Sequence, residues 1–295
     1  MDRILPMKLR PALLVACVCL VFRALAAAEP GNALAEAPSR FATLDGYRIH
    51  YKLLGVGENA LVFVHGWTCD TSVWRFQAAA FARDHRVIAI DLPGHGRSDA
   101  PEVAYTMELF ARAVEAVMRD AGVAKAVLVG HSMGTPVVRE FYRLHPDETQ
   151  ALVAVDGSFR ALFSREDAEK LLAPYRGSDY KRALERFADY MIPADHAALR
   201  EDLKTVMTKT PQRVAVSAFE NMIDPANFRE DPIRVPLLSV LAKSSRWPDD
   251  YEAFVRKLAP GAEYRVMEGV GHFLMLQKPE ELDAILSGFL ARNGR

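Results

Sequence analysis

Ser132 stands at the centre of the segment Gly130-His131-Ser132-Met133-Gly134, a spacing that suits a nucleophilic serine. An apolar run precedes this segment and a helix-like pattern follows it, so the sequence predicts a strand, a sharp turn and a helix. Only hydrogen fits at the two flanking positions of so tight a turn, which explains the two glycines. The backbone N–H of Met133 then lies at a helix N-terminus, where it can meet developing negative charge. The alternative interpretation is a chance Gly-x-Ser-x-Gly in an ordinary loop.

The elements that would position this serine are buried strands that alternate with helices. Four apolar runs are typical of parallel strands covered on both faces, namely 60–64, 86–90, 126–129 and 151–155. Helical patterns separate these runs, which predicts right-handed crossovers and a mostly parallel sheet. Ligands bind outside the carboxyl ends of such strands. Three of the runs are followed directly by His65, Asp91 and Asp156, and Ser132 comes three residues after the run at 126–129.

Further segments extend this sheet at both ends of the chain. The dipeptide Asp45-Gly46 predicts a hairpin of two antiparallel edge strands at 41–44 and 47–54. Strands are also expected at 235–241 and 262–267, and an amphipathic helix at 279–292 closes the fold. We therefore predict an α/β core with an eight-stranded sheet flanked by helices.

Between 158 and 234 the alternation of strands and helices stops, and helical patterns rich in charge replace it. We interpret this segment as a helical cap, or lid, that is inserted after the sixth strand and lies over the strand ends. The predicted core then consists of 41–157 and 235–295. The alternative is a set of helices packed against the side of the sheet.

The N-terminus has the pattern of a secretory signal. Basic residues precede an apolar run at 11–22, and small residues follow it, with cleavage sites after Ala26 or Ala28. We expect a signal peptide at 1–28 and a linker at 29–40, hence a secreted or periplasmic protein with no stable membrane insertion after signal removal. An uncleaved anchor or lipidation at Cys17 is the alternative. Signal removal leaves Cys69 without a disulfide partner.

The composition is that of a globular protein with a sizeable core. The chain has 295 residues, of which 50% are hydrophobic and 25% charged. A net charge of -1 provides no basic field, so no nucleic-acid partner is expected. No histidine and carboxylate cluster has the spacing of metal ligands, and we expect neither a metal nor an organic cofactor.

Four motifs together resemble the α/β-hydrolase family, and they occur in the family's order over about 41–295. They are His65-Gly66-Trp67, Asp91-Leu-Pro-Gly-His-Gly-Arg-Ser98, the Gly130 to Gly134 nucleophile elbow, and Gly271-His272-Phe273 followed by Lys278-Pro279-Glu280. The resemblance implies the α/β-hydrolase fold with its cap after strand six. It also implies that Ser132 is the nucleophile and His272 the base of a catalytic triad.

The resemblance assigns supporting roles as well. The backbone N–H groups of Trp67 and Met133 would form the oxyanion hole. Asp91, His95 and Arg97 are expected to shape their loop, and His131 is expected to be structural. Substrate contacts are predicted for four residues, namely His65, Gly66, Trp74 and Phe273. Trp67, Met133, Met275, Phe159 and Leu162 are further candidates for an apolar pocket, with the sheet or cap core as the alternative.

The acid of the triad departs from the common family pattern. Most relatives carry an aspartate after the seventh strand, where this chain reads Ala242-Lys243-Ser244-Ser245-Arg246. Certain haloalkane dehalogenases of the family carry the acid after the sixth strand instead, and that position is Asp156 here. We predict Asp156 as the acid, with Asp249 or Asp250 as the alternative, and a cap for the first turn of the insertion as the other use of Asp156.

The resulting prediction is a serine hydrolase that cleaves a small to medium carboxylic ester through an acyl-enzyme. A serine nucleophile argues against dehalogenase or epoxide hydrolase chemistry, which uses an aspartate. Cleavage of a C–C bond, a lactone or an amide, or peracid formation, needs the same residues and stays open. The other open class is a protein on the same fold that binds a small ligand with little turnover.

Overall fold

A computed structural model describes residues 33–293 of the chain, and an eight-stranded sheet forms its centre. The strands are β1 Ser39–Leu44, β2 Tyr47–Leu54, β3 Ala60–Val64, β4 Arg86–Ile90, β5 Ala126–His131, β6 Thr149–Val155, β7 Leu237–Ala242 and β8 Glu263–Met267. Their order across the sheet is β1-β2-β4-β3-β5-β6-β7-β8. The strands from β3 to β8 are parallel, whereas β2 pairs antiparallel with both β1 and β4. The mostly parallel sheet predicted from the sequence is confirmed.

Burial explains why these segments became strands. Every residue of β3, β5 and β7 is buried, because helices cover the sheet on both faces. The turn from β1 to β2 uses Asp45 and Gly46 at φ 50° and 85°, as a two-residue hairpin of this kind requires. Of the two strands of this hairpin, both predicted at the edge, only β1 lies at the sheet edge, because β2 is also paired with β4.

Eleven α-helices accompany the strands in the described part of the chain. They are α1 Ala33–Glu36, α2 Arg75–Phe81, α3 Met107–Asp120, α4 Gly134–Leu144, α5 Arg165–Arg176, α6 Tyr180–Met191, α7 Ala197–Met207, α8 Gln212–Met222, α9 Tyr251–Leu258, α10 Leu274–Gln277 and α11 Pro279–Asn293. Short 3₁₀ helices occur at Thr71–Trp74, Pro146–Glu148 and Pro225–Phe228. None of the helices within 33–293 is both long and apolar enough to cross a membrane.

The start of the described chain differs from the predicted linker at 29–40. Leu34 of α1 is buried in the core, and the Lys52 ammonium donates to the carbonyl oxygens of Ala35 and Ala37. These contacts fix residues 35–37 to β2. The first strand, β1, begins at Ser39, which is inside the predicted linker. The predicted signal at 1–28, which contains Cys17, lies outside the described residues.

The segment between β6 and β7 contains α5 to α8 and the last 3₁₀ helix, and the described chain has no strand there. Three of these helices contact Trp67, which follows β3 at the carboxyl edge of the sheet. The indole ring packs edge-on against Tyr175 of α5, Phe187 of α6 and Phe219 of α8, at centroid distances of 4.7, 5.5 and 5.2 Å. The Trp67 Nε1–H also donates to the Ala215 carbonyl of α8 at 2.8 Å. The helical segment, called the cap below, is thereby docked on the strand ends.

Candidate active site

The turn between β5 and α4 holds Ser132 in a strained backbone conformation. Its φ of 52° lies in the left-handed region, which residues with a side chain rarely adopt. The flanking glycines permit this turn, because a Cβ on Gly130 would lie 2.3 Å from the Gly134 carbonyl oxygen. A Cβ on Gly134 would lie 2.5 Å from the Val64 carbonyl oxygen. The close approach of backbone to backbone thus explains both glycines.

Ser132, His272 and Asp156 form one continuous hydrogen-bonded chain. The distance from His272 Nε2 to Ser132 Oγ is 2.9 Å, and His272 Nδ1 lies 2.6 Å from Asp156 Oδ2. An ionised carboxylate only accepts hydrogen bonds, so the proton belongs on Nδ1. That tautomer leaves the lone pair of Nε2 free to accept from the serine hydroxyl.

Asp156 lies directly after β6, in a left-handed conformation with φ 45°. Its backbone N–H donates to Val240 of β7, and its Oδ1 accepts from the Ala242 N–H at 2.8 Å. Its Oδ2 accepts from His272 and also from Arg246 Nη2 at 2.7 Å. The side chain is fully buried, so these donors replace the water that the carboxylate loses.

The alternative acids lie away from His272. Asp249 is exposed, and the carboxylate of Asp250 pairs with the Arg160 guanidinium at 2.5 Å. The Asp250 side chain is 69% exposed. Of the three aspartates considered from the sequence, the structure therefore brings only Asp156 to the histidine.

His131 fixes the loop that carries His272. Its Nε2 lies 2.9 Å from the His272 carbonyl oxygen, and the two rings pack at a centroid distance of 4.6 Å. Burial lowers the pKa of His131 well below its usual range, so the ring is neutral and its Nε2–H donates to that carbonyl. This arrangement agrees with the structural role expected for His131.

The Asp91 loop is built by hydrogen bonds that converge on one carboxylate. Asp91 accepts from the N–H groups of Thr71 and Arg97 and contacts His50 Nδ1 at 2.6 Å. The His95 ring is buried beside it, and burial lowers the pKa of His95 to about 3. These contacts shape the loop, as the sequence suggests.

A cavity of about 550 Å³ lies between the strand ends and the cap, and Ser132, His272 and Asp156 contribute to its wall. Trp67 and Met133, the two residues predicted to supply the oxyanion hole, also line it. Most other lining residues come from the cap and are apolar, namely Ala161, Leu162, Phe163, Ala168, Leu171, Tyr175, Phe187, Tyr190, Met191, Phe219, Met222, Ile223 and Phe228. Ser244, Ser245, Arg246 and Trp247 complete the wall after β7.

The substrate contacts predicted for His65, Gly66, Trp74 and Phe273 need correction, since none of these lines the cavity among the described residues. The rings of Trp74 and Phe273 are buried in the core, where both pack against His131. His65 is also fully buried, and its Nε2 accepts from the Leu92 N–H.

Gly66 acts through its backbone, because a Cβ there would lie 3.0 Å from Ser132 Cβ. Met275 and Phe159 are likewise core residues, whereas the prediction that Leu162 lines the pocket is confirmed.

Cys69 is buried, and this desolvation raises the pKa of its thiol, so the reactive thiolate is suppressed. Among the described residues, no group of three or more His, Cys, Asp or Glu side chains is arranged to hold a metal ion. The hydrogen-bonded chain of Ser132, His272 and Asp156 thus lies in the cavity wall, and the guanidinium groups of Arg160 and Arg246 line it as well.

The family model described as the alpha/beta hydrolase family matches residues 61–285 of this sequence. This match runs from β3 into α11 and hence includes most of the chain. The chain therefore belongs to the alpha/beta hydrolase family.

Similar proteins include esterases and hydrolases. A pimeloyl-(acyl-carrier protein) methyl ester esterase of Aeromonas hydrophila subsp. hydrophila is 27% identical over 247 residues, which cover 78% of this chain and 94% of that protein. A karrikin insensitive 2 receptor of Petunia hybrida is 27% identical over 256 residues, covering 80% and 93%. A solved structure of an N-acyl homoserine lactone degrading enzyme is 28% identical with a TM-score of 0.71, covering 85% of this chain and all of that one.

Proposed function

We propose that this protein is a serine hydrolase that cleaves a small to medium carboxylic ester through an acyl-enzyme. The observation that carries the proposal is the chain of hydrogen bonds from Ser132 Oγ through His272 to Asp156, at 2.9 and 2.6 Å. This geometry satisfies the requirement that a base lie within hydrogen-bonding distance of the nucleophile and be oriented by a third group.

The first half of the reaction forms the acyl-enzyme. His272 Nε2 takes the hydroxyl proton as Ser132 Oγ attacks the ester carbonyl carbon, and the carbonyl oxygen becomes an oxyanion. The backbone N–H groups of Trp67 and Met133 would receive this oxyanion, since both residues line the cavity beside Ser132. When the C–O bond to the alcohol breaks, the imidazolium returns its proton to the leaving oxygen.

The second half consumes water. His272 takes a proton from a water molecule that attacks the acyl carbon, and a second oxyanion forms in the same position. Its collapse breaks the bond to Ser132 Oγ, which recovers the proton from the imidazolium. The products are the carboxylic acid and the free enzyme, and Asp156 stabilises the imidazolium in both halves.

The cavity favours an apolar acyl group of small or medium size. Its volume of about 550 Å³ lies within the usual range for small-molecule pockets, and aromatic and aliphatic cap residues form most of its wall. The similar methyl ester esterase and the similar lactone degrading enzyme are both named for substrates with an acyl carbon bonded to an ester oxygen. A lactone is therefore a second substrate class to test.

The test is a panel of p-nitrophenyl esters of increasing acyl chain length, combined with mass spectrometry of the intact protein. We expect continuous product release, no turnover in Ser132→Ala, and an adduct on Ser132 after treatment with a fluorophosphonate. The Ser158→Ala variant is a matched control, because Ser158 also lines the cavity but lies outside the hydrogen-bonded chain. The absence of any adduct in the folded wild-type protein would overturn the mechanism.

The similarity to the karrikin insensitive 2 receptor favours a second candidate function, a protein that binds a small ligand with little turnover. The same assay separates the two functions. A stoichiometric burst without further product release would support the binding function, whereas release of many equivalents per protein would exclude it.

A further inference from the structure

We propose that Arg246 is a positioning residue of this hydrolase, which holds the carboxylate of Asp156 against His272. The proposal rests on the proposed function, because it assigns Asp156 and His272 to the triad. Arg246 lies in the loop after β7, where the common family pattern has an acid. In this chain the acid, Asp156, follows β6, and the loop after β7 carries a cation.

The contacts of Asp156 show how Arg246 acts. Arg246 Nη2 and His272 Nδ1 both donate to Oδ2 of Asp156, at 2.7 and 2.6 Å, while the Ala242 N–H holds Oδ1 at 2.8 Å. The Arg246 guanidinium also donates from Nη1 to the Met191 Sδ at 3.4 Å, and it lies over the Trp247 ring. Donors on three sides therefore leave the carboxylate a single orientation.

This support is needed because Asp156 occupies an unfavourable place. Its backbone is left-handed, at φ 45°, and its side chain is fully buried. As the proton acceptor of the proposed mechanism, His272 offers Asp156 a hydrogen bond but no charge. Arg246 supplies the cation that a buried carboxylate requires. An ion pair with a guanidinium also restricts the carboxylate more than a neutral donor does.

An alternative role for Arg246 is to bind an anionic group of the substrate. The side chain is 23% exposed and lines the cavity, so a substrate carboxylate could approach the guanidinium. The observed contact with Asp156 favours the positioning role, because the guanidinium is already paired with a buried acid. The two roles predict different kinetic results.

The test compares Arg246→Gln, Arg246→Lys and wild type by separate measurement of kcat and KM for a neutral ester. We expect Arg246→Gln to lower kcat about tenfold with little change in KM, because the carboxylate is less well oriented against His272. Arg246→Lys keeps the charge and should restore most of the lost kcat.

A matched control and a rescue experiment sharpen the test. Arg160→Gln removes a second cavity-lining guanidinium of the same 23% exposure, which pairs with the exposed Asp250, and we expect its effect to fall on KM rather than on kcat. Because Arg246 is accessible from the cavity, added guanidinium ion should restore part of the kcat of Arg246→Gly and none of that of Ser132→Ala. Circular dichroism and fluorophosphonate labelling of Ser132 establish that each variant is folded.

The outcomes distinguish this proposal from the proposed function. Absence of labelling and turnover in the wild type would refute the hydrolase itself. A wild type that is labelled and active, with an Arg246→Gln variant of the same kcat, would overturn only the role of Arg246. An increase of KM confined to esters that carry a carboxylate, with an unchanged kcat, would also overturn it and assign Arg246 to substrate binding.

Discussion

The Asp156 carboxylate and the His272 imidazole meet with 2.6 Å between Oδ2 and Nδ1, although Asp156 follows β6 and His272 follows β8. The intervening strand, β7, supplies the Ala242 N–H that holds the other carboxylate oxygen. An acid after β6 therefore reaches a histidine after β8 through the space beyond the end of β7, whose last residue is Ala242. The left-handed turn at Asp156 directs the side chain into that space.

Replacement of this acid should remove most of the turnover. We expect Asp156→Asn to lower kcat by about 10⁴-fold, because an amide favours the wrong tautomer of His272. Stopped-flow or steady-state assays with a p-nitrophenyl ester provide the measurement. Asp250→Asn is the matched control and should change kcat less than about threefold, since Asp250 pairs with Arg160 on the surface. A kcat of Asp156→Asn that is as close to wild type as that of Asp250→Asn would exclude Asp156 as the acid.

The cap should set the preferred acyl chain. Phe187 of α6 lines the cavity and packs on Trp67, so Phe187→Ala enlarges the space above the nucleophile. We expect the ratio of kcat/KM for long over short acyl esters to rise about tenfold or more, the effect of one or two methylene groups in an apolar pocket. Phe254→Ala on α9 is the control, because Phe254 lies outside the cavity wall of the described chain. An unchanged ratio in Phe187→Ala would contradict this role of the cap.

The sequence predicts the sheet and the nucleophile turn for clear physical reasons. Apolar runs of strand length identify parallel strands, and the glycines around Ser132 report a turn that tolerates no Cβ. These features depend on local patterns, which a sequence displays directly. The candidate acid depends on the family resemblance instead, which points to Asp156 because no carboxylate follows β7, and Asp156 contacts His272 in the structure.

The substrate contacts depend on tertiary packing, and there the sequence predictions fail. Trp74 and Phe273 are near the right motifs, but the sheet and His131 bury both rings. The cap residues that form the cavity wall have apolar helical periodicity, which does not tell a cavity wall from a cap core. Arg246 lies within the segment noted for its missing acid, and only the folded loop shows that its guanidinium reaches Asp156.

The glycine after the nucleophile should be required for stability as well as for activity. A Cβ on Gly134 would lie 2.5 Å from the Val64 carbonyl oxygen and 3.0 Å from that of His65, and neither backbone atom can move freely. We expect Gly134→Ala to lower the free energy of unfolding by about 1–3 kcal/mol in urea denaturation. Gly261→Ala is the control, because nothing lies within 4 Å of its added Cβ, and its effect should stay within about 0.5 kcal/mol. A Gly134→Ala variant as stable as Gly261→Ala would contradict this prediction, because it would show that the carboxyl end of β3 can move aside at little cost.

Asp283 should make the protein less stable at neutral pH than at acidic pH. The side chain lies on α11 against the buried Gln77, whose Nε2 donates to Oδ1 at 3.1 Å. Burial, and to a lesser degree the nearby Glu280, raises the pKa of Asp283 from 3.8 to about 6. Because the folded state holds this proton more tightly than the unfolded state, the stability falls as the pH rises from about 4 to about 6.

Asp283→Asn removes this penalty and keeps an acceptor for Gln77. After allowance for partial solvent exposure, we expect the variant to gain about 1 kcal/mol in the free energy of unfolding at pH 8. The gain should vanish at pH 4, where the wild-type carboxyl is protonated in the folded state. Glu281→Gln, an exposed acid on the same helix, should change the stability by less than about 0.5 kcal/mol at either pH. Urea denaturation of the three proteins at both pH values measures the difference, and a gain of Asp283→Asn that is the same at pH 4 and pH 8 would rule out the titration of Asp283 as its cause.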